Sequence, residues 1–169
     1  RNKMKKVEHG KTFDRNAANP PAFEIFHNTV TEGYPEHWHT AIEIIMPTRG
    51  EYEVVVGKDS YNLKEGDIIM INSGVVHGMR FVSQGERIVM LVEPGCVENQ
   101  EEMETIFLRL PAIYFKKEDE EDPFYLFLRS QILELVREYD NEGAVMTHRI
   151  CTGLKELFSE FGRKGFSDA

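Results

Sequence analysis

Three histidines and one glutamate stand out by their spacing. The stretch Gly33-Tyr34-Pro35-Glu36-His37-Trp38-His39-Thr40-Ala41-Ile42-Glu43 is followed seven residues on by Gly50, and His77 comes just after the turn Asn72-Ser73-Gly74. Side chains two residues apart on a strand share a face, so an extended chain here turns His37, His39 and Glu43 the same way. Two imidazoles and a carboxylate on one side make a donor set suited to iron, manganese, nickel or zinc. A fourth donor must come from another strand, and His77, arriving after Gly66-Asp67 and the 72–74 turn, is placed to cross the interior. Two readings stay open: a divalent metal with open positions for a ligand, or four groups that hydrogen-bond one another without metal. Under both, the four residues are polar contacts for a ligand in a cavity.

The elements that must position these residues change character once along the chain. From Phe23 to Val92 the pattern is one of short strands: Phe23–His27, Trp38–Met46, Tyr52–Val56, Tyr61–Leu63, Ile68–Ile71, Val75–Phe81 and Arg87–Val92. Gly, Asn, Asp and Ser punctuate them, and Val, Ile and Tyr fill them, which predicts an all-β barrel or sandwich. Tyr52, Val54 and Val56 share a parity, with the valines filling core and the Tyr52 hydroxyl offered to a ligand. Met79 and Phe81 share the parity of His77 and line the same cavity, so Tyr52 and Met79 join His37, His39, Glu43 and His77 as candidate ligand contacts. Met46 and Met70 read as core, and Trp38, on the opposite parity, as packing against another element. Arg80 and Arg87 read as solvated.

After Pro94-Gly95 the pattern becomes helical. Asp122-Pro123 is a start signal, with Asp as N-cap and Pro at the first helical position. Tyr125, Leu128, Ile132, Leu135 and Tyr139 then recur at spacings of three and four, Asp140–Gly143 breaks the run, and Ile150, Leu154, Leu157 and Phe161 form a second stripe. Two amphipathic helices with a short turn make an antiparallel hairpin, and their stripes need cover from the barrel or from a second copy of the chain. Glu98–Leu110 reads as a further short helix. The organisation expected is an N-terminal arm (1–22), a barrel core (23–95), an acidic connecting segment (96–121) and a helical hairpin (122–169).

Composition narrows the function classes. The chain has 169 residues, a net charge of −9 and 41% hydrophobic residues, in the range of an ordinary globular domain. The basic residues cluster only at Lys3–Lys6, against the concentrated positive face that a nucleic-acid binder carries. No apolar run approaches the length of a membrane span, and no export leader opens the chain, so a cytoplasmic protein without membrane partners is expected. Cys96 and Cys151, far apart and without paired spacing, read as reduced thiols.

Taken together, Gly33, His37-Trp38-His39, Glu43 and Gly50 resemble the first cupin motif, and Gly66, Gly74 and His77 resemble the second. Gly33 stands nearer its His than is usual there, Asn72 replaces the turn proline, and Phe81 stands where a closing Asn is common. The run from His37 to His77, with Tyr61-Asn62-Leu63-Lys64-Glu65-Gly66-Asp67 inside it, is similar to the sensor domain of AraC-type transcription regulators. That resemblance implies a mainly β fold, a jelly-roll cupin barrel followed by a helical hairpin. It implies a small-molecule effector in the barrel, a homodimer through the C-terminal helices, and DNA contact only through a helix-turn-helix domain expected beyond Ala169. The N-terminal arm is then either a cover for the effector pocket or a polar tail. The alternative is a small metal-dependent cupin enzyme, an oxygenase or isomerase with a site of three His and one Glu.

Overall fold

The computed structural model describes residues 22–29, 33–81, 83–96, 110–119, 121–141 and 143–164. The N-terminal arm and the expected helix at 98–110 lie almost wholly outside these residues.

Among the described residues, nine strands form two antiparallel sheets. In chain order they are β1 (Phe23–Asn28), β2 (Tyr34–His37), β3 (Ile42–Arg49), β4 (Tyr52–Val56), β5 (Asp59–Leu63), β6 (Ile68–Ile71), β7 (His77–Phe81), β8 (Glu86–Val92) and β9 (Ala112–Phe115). One sheet has the order β1-β8-β3-β6-β9 and the other β2-β7-β4-β5. Two strands differ from the sequence reading. β2 is a short, largely exposed strand interrupted by Pro35, and β9 lies in the connecting segment, where it pairs with β6 from Ile68↔Phe115 to Ile71↔Ala112.

The helices follow the sequence closely. The helix α1 (Pro123–Asp140) starts at Asp122, whose carboxylate accepts from the Phe124 N–H at 3.0 Å, and α2 (Met146–Lys164) returns antiparallel. An N-cap of this kind contributes about 1 kcal/mol. No helix among the described residues is long and apolar enough to cross a membrane.

Alternation along the five-stranded sheet separates two cores. Ile42, Ile44 and Met46 on β3 and Ile88, Met90 and Val92 on β8 pack against Leu128, Ile132, Leu154, Leu157 and Phe161 of the helices. The barrel therefore covers the helical stripes, each fully buried Leu, Ile or Phe contributing about 1.5–3 kcal/mol. The opposite parity faces inward, where Ile45, Ile69 and Ile71 meet Tyr52, Val54, Val56 and Met79 from the second sheet. Because β3, β6 and β8 are covered on both sides, they read as continuous apolar runs rather than alternating ones.

A polar bracket ties the layers together. The Asp67 carboxylate accepts from the backbone N–H of Lys64 (2.9 Å) and Lys117 (2.8 Å) and from the Tyr114 hydroxyl (2.6 Å). Nearby, the Tyr125 hydroxyl of α1 donates to the Gly66 carbonyl at 2.7 Å. The Gly66-Asp67 pair of the second motif thus fixes β9 and α1 to the start of β6.

Candidate functional site

His37, His39, Glu43 and His77 converge in the barrel, and their potential ligand atoms all lie within 4.8 Å of one another. The route to this convergence differs from the single strand expected. His37 ends β2 in one sheet, His39 lies in the following loop, and Glu43 lies on β3 in the other sheet. A bulge between Tyr34 and His37 sets the aim. Tyr34 pairs with Met79 and His37 with His77, so Pro35 and Glu36 on β2 stand opposite Gly78 alone, and His37, itself exposed, is brought to 4.6 Å from His77 between ring centroids. Gly33 permits the close approach of the chain entering β2, since a Cβ there would lie 2.3 Å from the Met79 carbonyl oxygen.

The turn before His77 is tied to the loop that carries His39. Gly74, at φ 76°, donates its N–H to the His39 carbonyl at 2.9 Å, a backbone conformation that favours glycine. The second motif therefore delivers His77 onto His39 through one hydrogen bond.

Backbone carbonyls set the imidazole tautomers. Nδ1 of His37 donates to the Pro35 carbonyl at 2.8 Å, that of His39 to the Ala41 carbonyl at 2.9 Å, and that of His77 to the Val75 carbonyl at 2.8 Å. A carbonyl can only accept, so each Nδ1 carries the proton. On His39 and His77 Nε2 is turned towards Glu43, with Oε2 at 3.1 Å and 2.7 Å. Each Nε2 then either carries a second proton and donates to the carboxylate or offers a lone pair to a cation beside it. Pinning Nδ1 by a backbone carbonyl is how metal-binding histidines are oriented, and the donor set fits a divalent ion.

The electrostatics follow from burial and pairing. His77 is 4% exposed, and Glu43 is nearly enclosed. Burial alone pushes the Glu43 carboxyl up, but hydrogen bonds from His39 and His77, with their charge, outweigh it and hold the group well below the usual carboxylate range. Burial alone pushes His77 down, whereas the hydrogen bond and charge of Glu43 prevail and raise it.

The other two candidate contacts also face the interior. Tyr52 and Met79 are buried in the inter-sheet core. Met46 and Met70 pack on the helical side, as read from the sequence. Trp38, expected to pack against another element, is 52% exposed.

Arg87 reverses the sequence expectation outright. It is 1% exposed, and its guanidinium carbon lies 4.1 Å from the centroid of the Tyr52 ring. The signal for this burial was its place in the run Arg87-Ile88-Val89-Met90-Leu91-Val92, a strand with both faces covered. An outer concavity of about 550 Å³, lined by Asn62, Lys64, Asp67, Tyr114 and Lys117 among others, is less suited to a ligand. Its central carboxylate, Asp67, is already committed to the bracket described above.

Residues 28–93 match the sequence profile of the cupin domain. No curated protein matches the chain. In fold the chain is similar to apo ToxT K231A from Vibrio cholerae, with a TM-score of 0.57 and 11% identity over 86% of this chain and 58% of that one. Against wild-type ToxT with unsaturated fatty acid bound, the TM-score is 0.52 and the identity 12%, over 88% and 56%. The chain thus spans a little over half the length of ToxT, and at these identities the likeness is one of fold. DMSP lyase DddQ from Ruegeria pomeroyi is 26% identical over 41% of this chain and 36% of its own, with a TM-score of 0.36.

Proposed function

We propose that this chain, which carries a cupin domain over residues 28–93, is the effector-binding and dimerisation part of an AraC-type transcriptional regulator. The observation that carries the reading is the layered architecture. A barrel with an inward polar cluster has its outer sheet face occupied by a helical hairpin, and a fold likeness spanning barrel and hairpin extends to ToxT, an AraC-family regulator. In this reading His37, His39, Glu43, Tyr52, His77 and Met79 contact a small-molecule effector, and a divalent metal held by the first three and His77 is part of the same site. Residues 1–22 act as an arm, 23–95 as the sensor core, 96–121 as a connection that returns a strand to the barrel, and 122–169 as the self-association element. The protein works in the cytoplasm and meets DNA through helix-turn-helix units that follow Ala169. The test is the coding sequence downstream of Ala169: it should encode two such units, and a continuation without them sinks the proposal.

The tautomer-fixed donor set favours a second reading, a metal-dependent cupin oxygenase or isomerase. There His37, His39, Glu43 and His77 would hold zinc, nickel, iron or manganese, which supplies Lewis-acid activation and open positions for substrate. Turnover that chelators abolish would decide for it.

A further inference from the structure

Arg87 is a buried cation whose hydrogen-bonding capacity is unspent. Its Nε, Nη1 and Nη2 atoms are all buried without a hydrogen bond of good geometry, and so is the hydroxyl of Tyr52; the guanidinium lies over the Tyr52 ring, close enough for that side chain to help hold its charge. Arginine stays charged in proteins, and burying a charge without a partner is strongly unfavourable. Nine in ten or more buried polar groups in folded proteins are satisfied, so several orphaned donors on one residue call for a cause. Glu43 acts on Arg87 only as a longer-range attraction, because its carboxylate is hydrogen-bonded to His39 and His77.

Position says where those donors aim. On β8 the parity of Ile88, Met90 and Val92 faces the helices, whereas Arg87, Val89 and Leu91 take the opposite one. Leu91 pairs across the ladder with Glu43, and Arg87 lies four residues further along, about 13 Å at strand rise. The interior therefore has a histidine–carboxylate end and a guanidinium–phenol end, with Val89 and Leu91 on β8 between them.

We propose that Arg87 and Tyr52 form an oxyanion receptor, and that the effector of this barrel is an organic acid. Its carboxylate takes the guanidinium fork and the Tyr52 hydroxyl, and its body runs past Val89 and Leu91 towards Glu43. The inference rests on the barrel interior being the effector site and adds the chemical class of the effector. A carboxylate matches the two-pronged geometry of a guanidinium and supplies the charge that its burial demands.

The test compares octanoate and benzoate with octanamide and benzamide, read by thermal shift and calorimetric titration on the full chain. The carboxylates should raise the melting temperature of the wild type and the neutral amides should not. In Arg87→Met carboxylate affinity should fall roughly 10- to 100-fold. The variant should melt at or above the ligand-free wild type, because an unpaired buried charge is replaced by an apolar side chain of similar length. Arg87→Lys, which keeps the charge but loses the fork, should retain a weakened response. The inference is overturned if neither acid stabilises the wild type, if amides bind as well as acids, or if Arg87→Met keeps the response. Any of these leaves the regulator reading standing, since that answers to the sequence beyond Ala169.

Discussion

Glu43→Gln, measured on metal-free protein, tests the polar cluster most directly. Glu43 Oε2 receives His77 Nε2 at 2.7 Å and His39 Nε2 at 3.1 Å, and both rings already spend their Nδ1 protons on backbone carbonyls. Without a metal, the cluster therefore stabilises the fold only while Glu43 is ionised and an imidazole is doubly protonated. The Glu43 carboxyl is held below its ordinary value of 4.5, so its contribution is present above that pH and lost as pH falls through the depressed folded value. His77 is raised above 6.5, so its contribution is complete below that pH and fades as pH climbs through the raised folded value. Both shifts describe one interaction, counted once, and its window lies between. Hydrogen bonds to charged groups contribute about 1.5–3 kcal/mol, and two donors sharing one oxygen bring the total to about 2–3 kcal/mol. For a domain of this size, 1 kcal/mol moves the melting temperature by about 2–4 °C. With EDTA present, Glu43→Gln should thus melt roughly 4–12 °C below wild type near pH 6. Near pH 9 the gap should be narrower, leaving the longer-range attraction between Glu43 and Arg87. A gap that is constant or wider at the higher pH refutes the reasoning, as does a variant more stable than wild type near pH 6.

Three further outcomes follow from the same geometry. A divalent ion at a hundred times its dissociation constant should stabilise the protein by about 2.7 kcal/mol, or roughly 5–11 °C, and His77→Ala should remove the effect; a shift retained in that variant would place the metal elsewhere. Leu126 and Leu133, one heptad apart on α1 and 46% and 39% exposed, are candidates for the self-association patch, because the inner stripe is spent on the barrel. Light scattering should find the wild type dimeric and Leu126→Glu/Leu133→Glu monomeric, and an unchanged mass would move the interface. Cys96 and Cys151 approach to 3.5 Å between sulfurs, although 55 residues apart in sequence. Burial, with the Cys151 thiol beside it, pushes Cys96 up to about 12, which keeps Cys96 a thiol near neutral pH; an oxidant such as diamide should take two electrons from the pair and join the sulfurs. The oxidised chain should then run faster on a non-reducing gel, and Cys151→Ser should abolish that species.

Helices were the most legible part of the sequence. The Asp122-Pro123 start and the stripes from Tyr125 to Leu135 and from Ile150 to Phe161 are set by local periodicity, and each lands on the core face. Legibility fell where pairing between distant segments decides. β2 carries Pro35 and exposed Glu36 and shows no apolar alternation, so it has no signal until β7 is beside it. β9 spans only four residues, too few for a period. The four site residues were recognisable by type and spacing, yet strand parity was the wrong reason for their convergence: a bulge and a loop bring His37 and His39 to Glu43. Arg87 failed differently. The rule that arginine is solvated presumes one wet face on its strand, and β8 has none.

That double coverage also bears on how a signal would leave the barrel. On β3, Glu43 and Ile45 face the interior while Ile42, Ile44 and Met46 face the helices; on β8, Arg87 alternates with Ile88, Met90 and Val92 in the same way. Each interior contact on these strands is therefore one peptide from a contact with the hairpin. Close-packed cores do not deform by degrees, so an occupant that shifts β3 or β8 must repack Leu128, Ile132, Leu154 and Leu157 or be resisted by them. An effector could then bias the hairpin without touching it, provided it binds one arrangement of the two strands better than the other. The Arg87 end is where such a difference has most room to arise. Glu43 is already held by hydrogen bonds to its histidines, whereas an acid docking on the guanidinium pairs a buried charge on β8 itself.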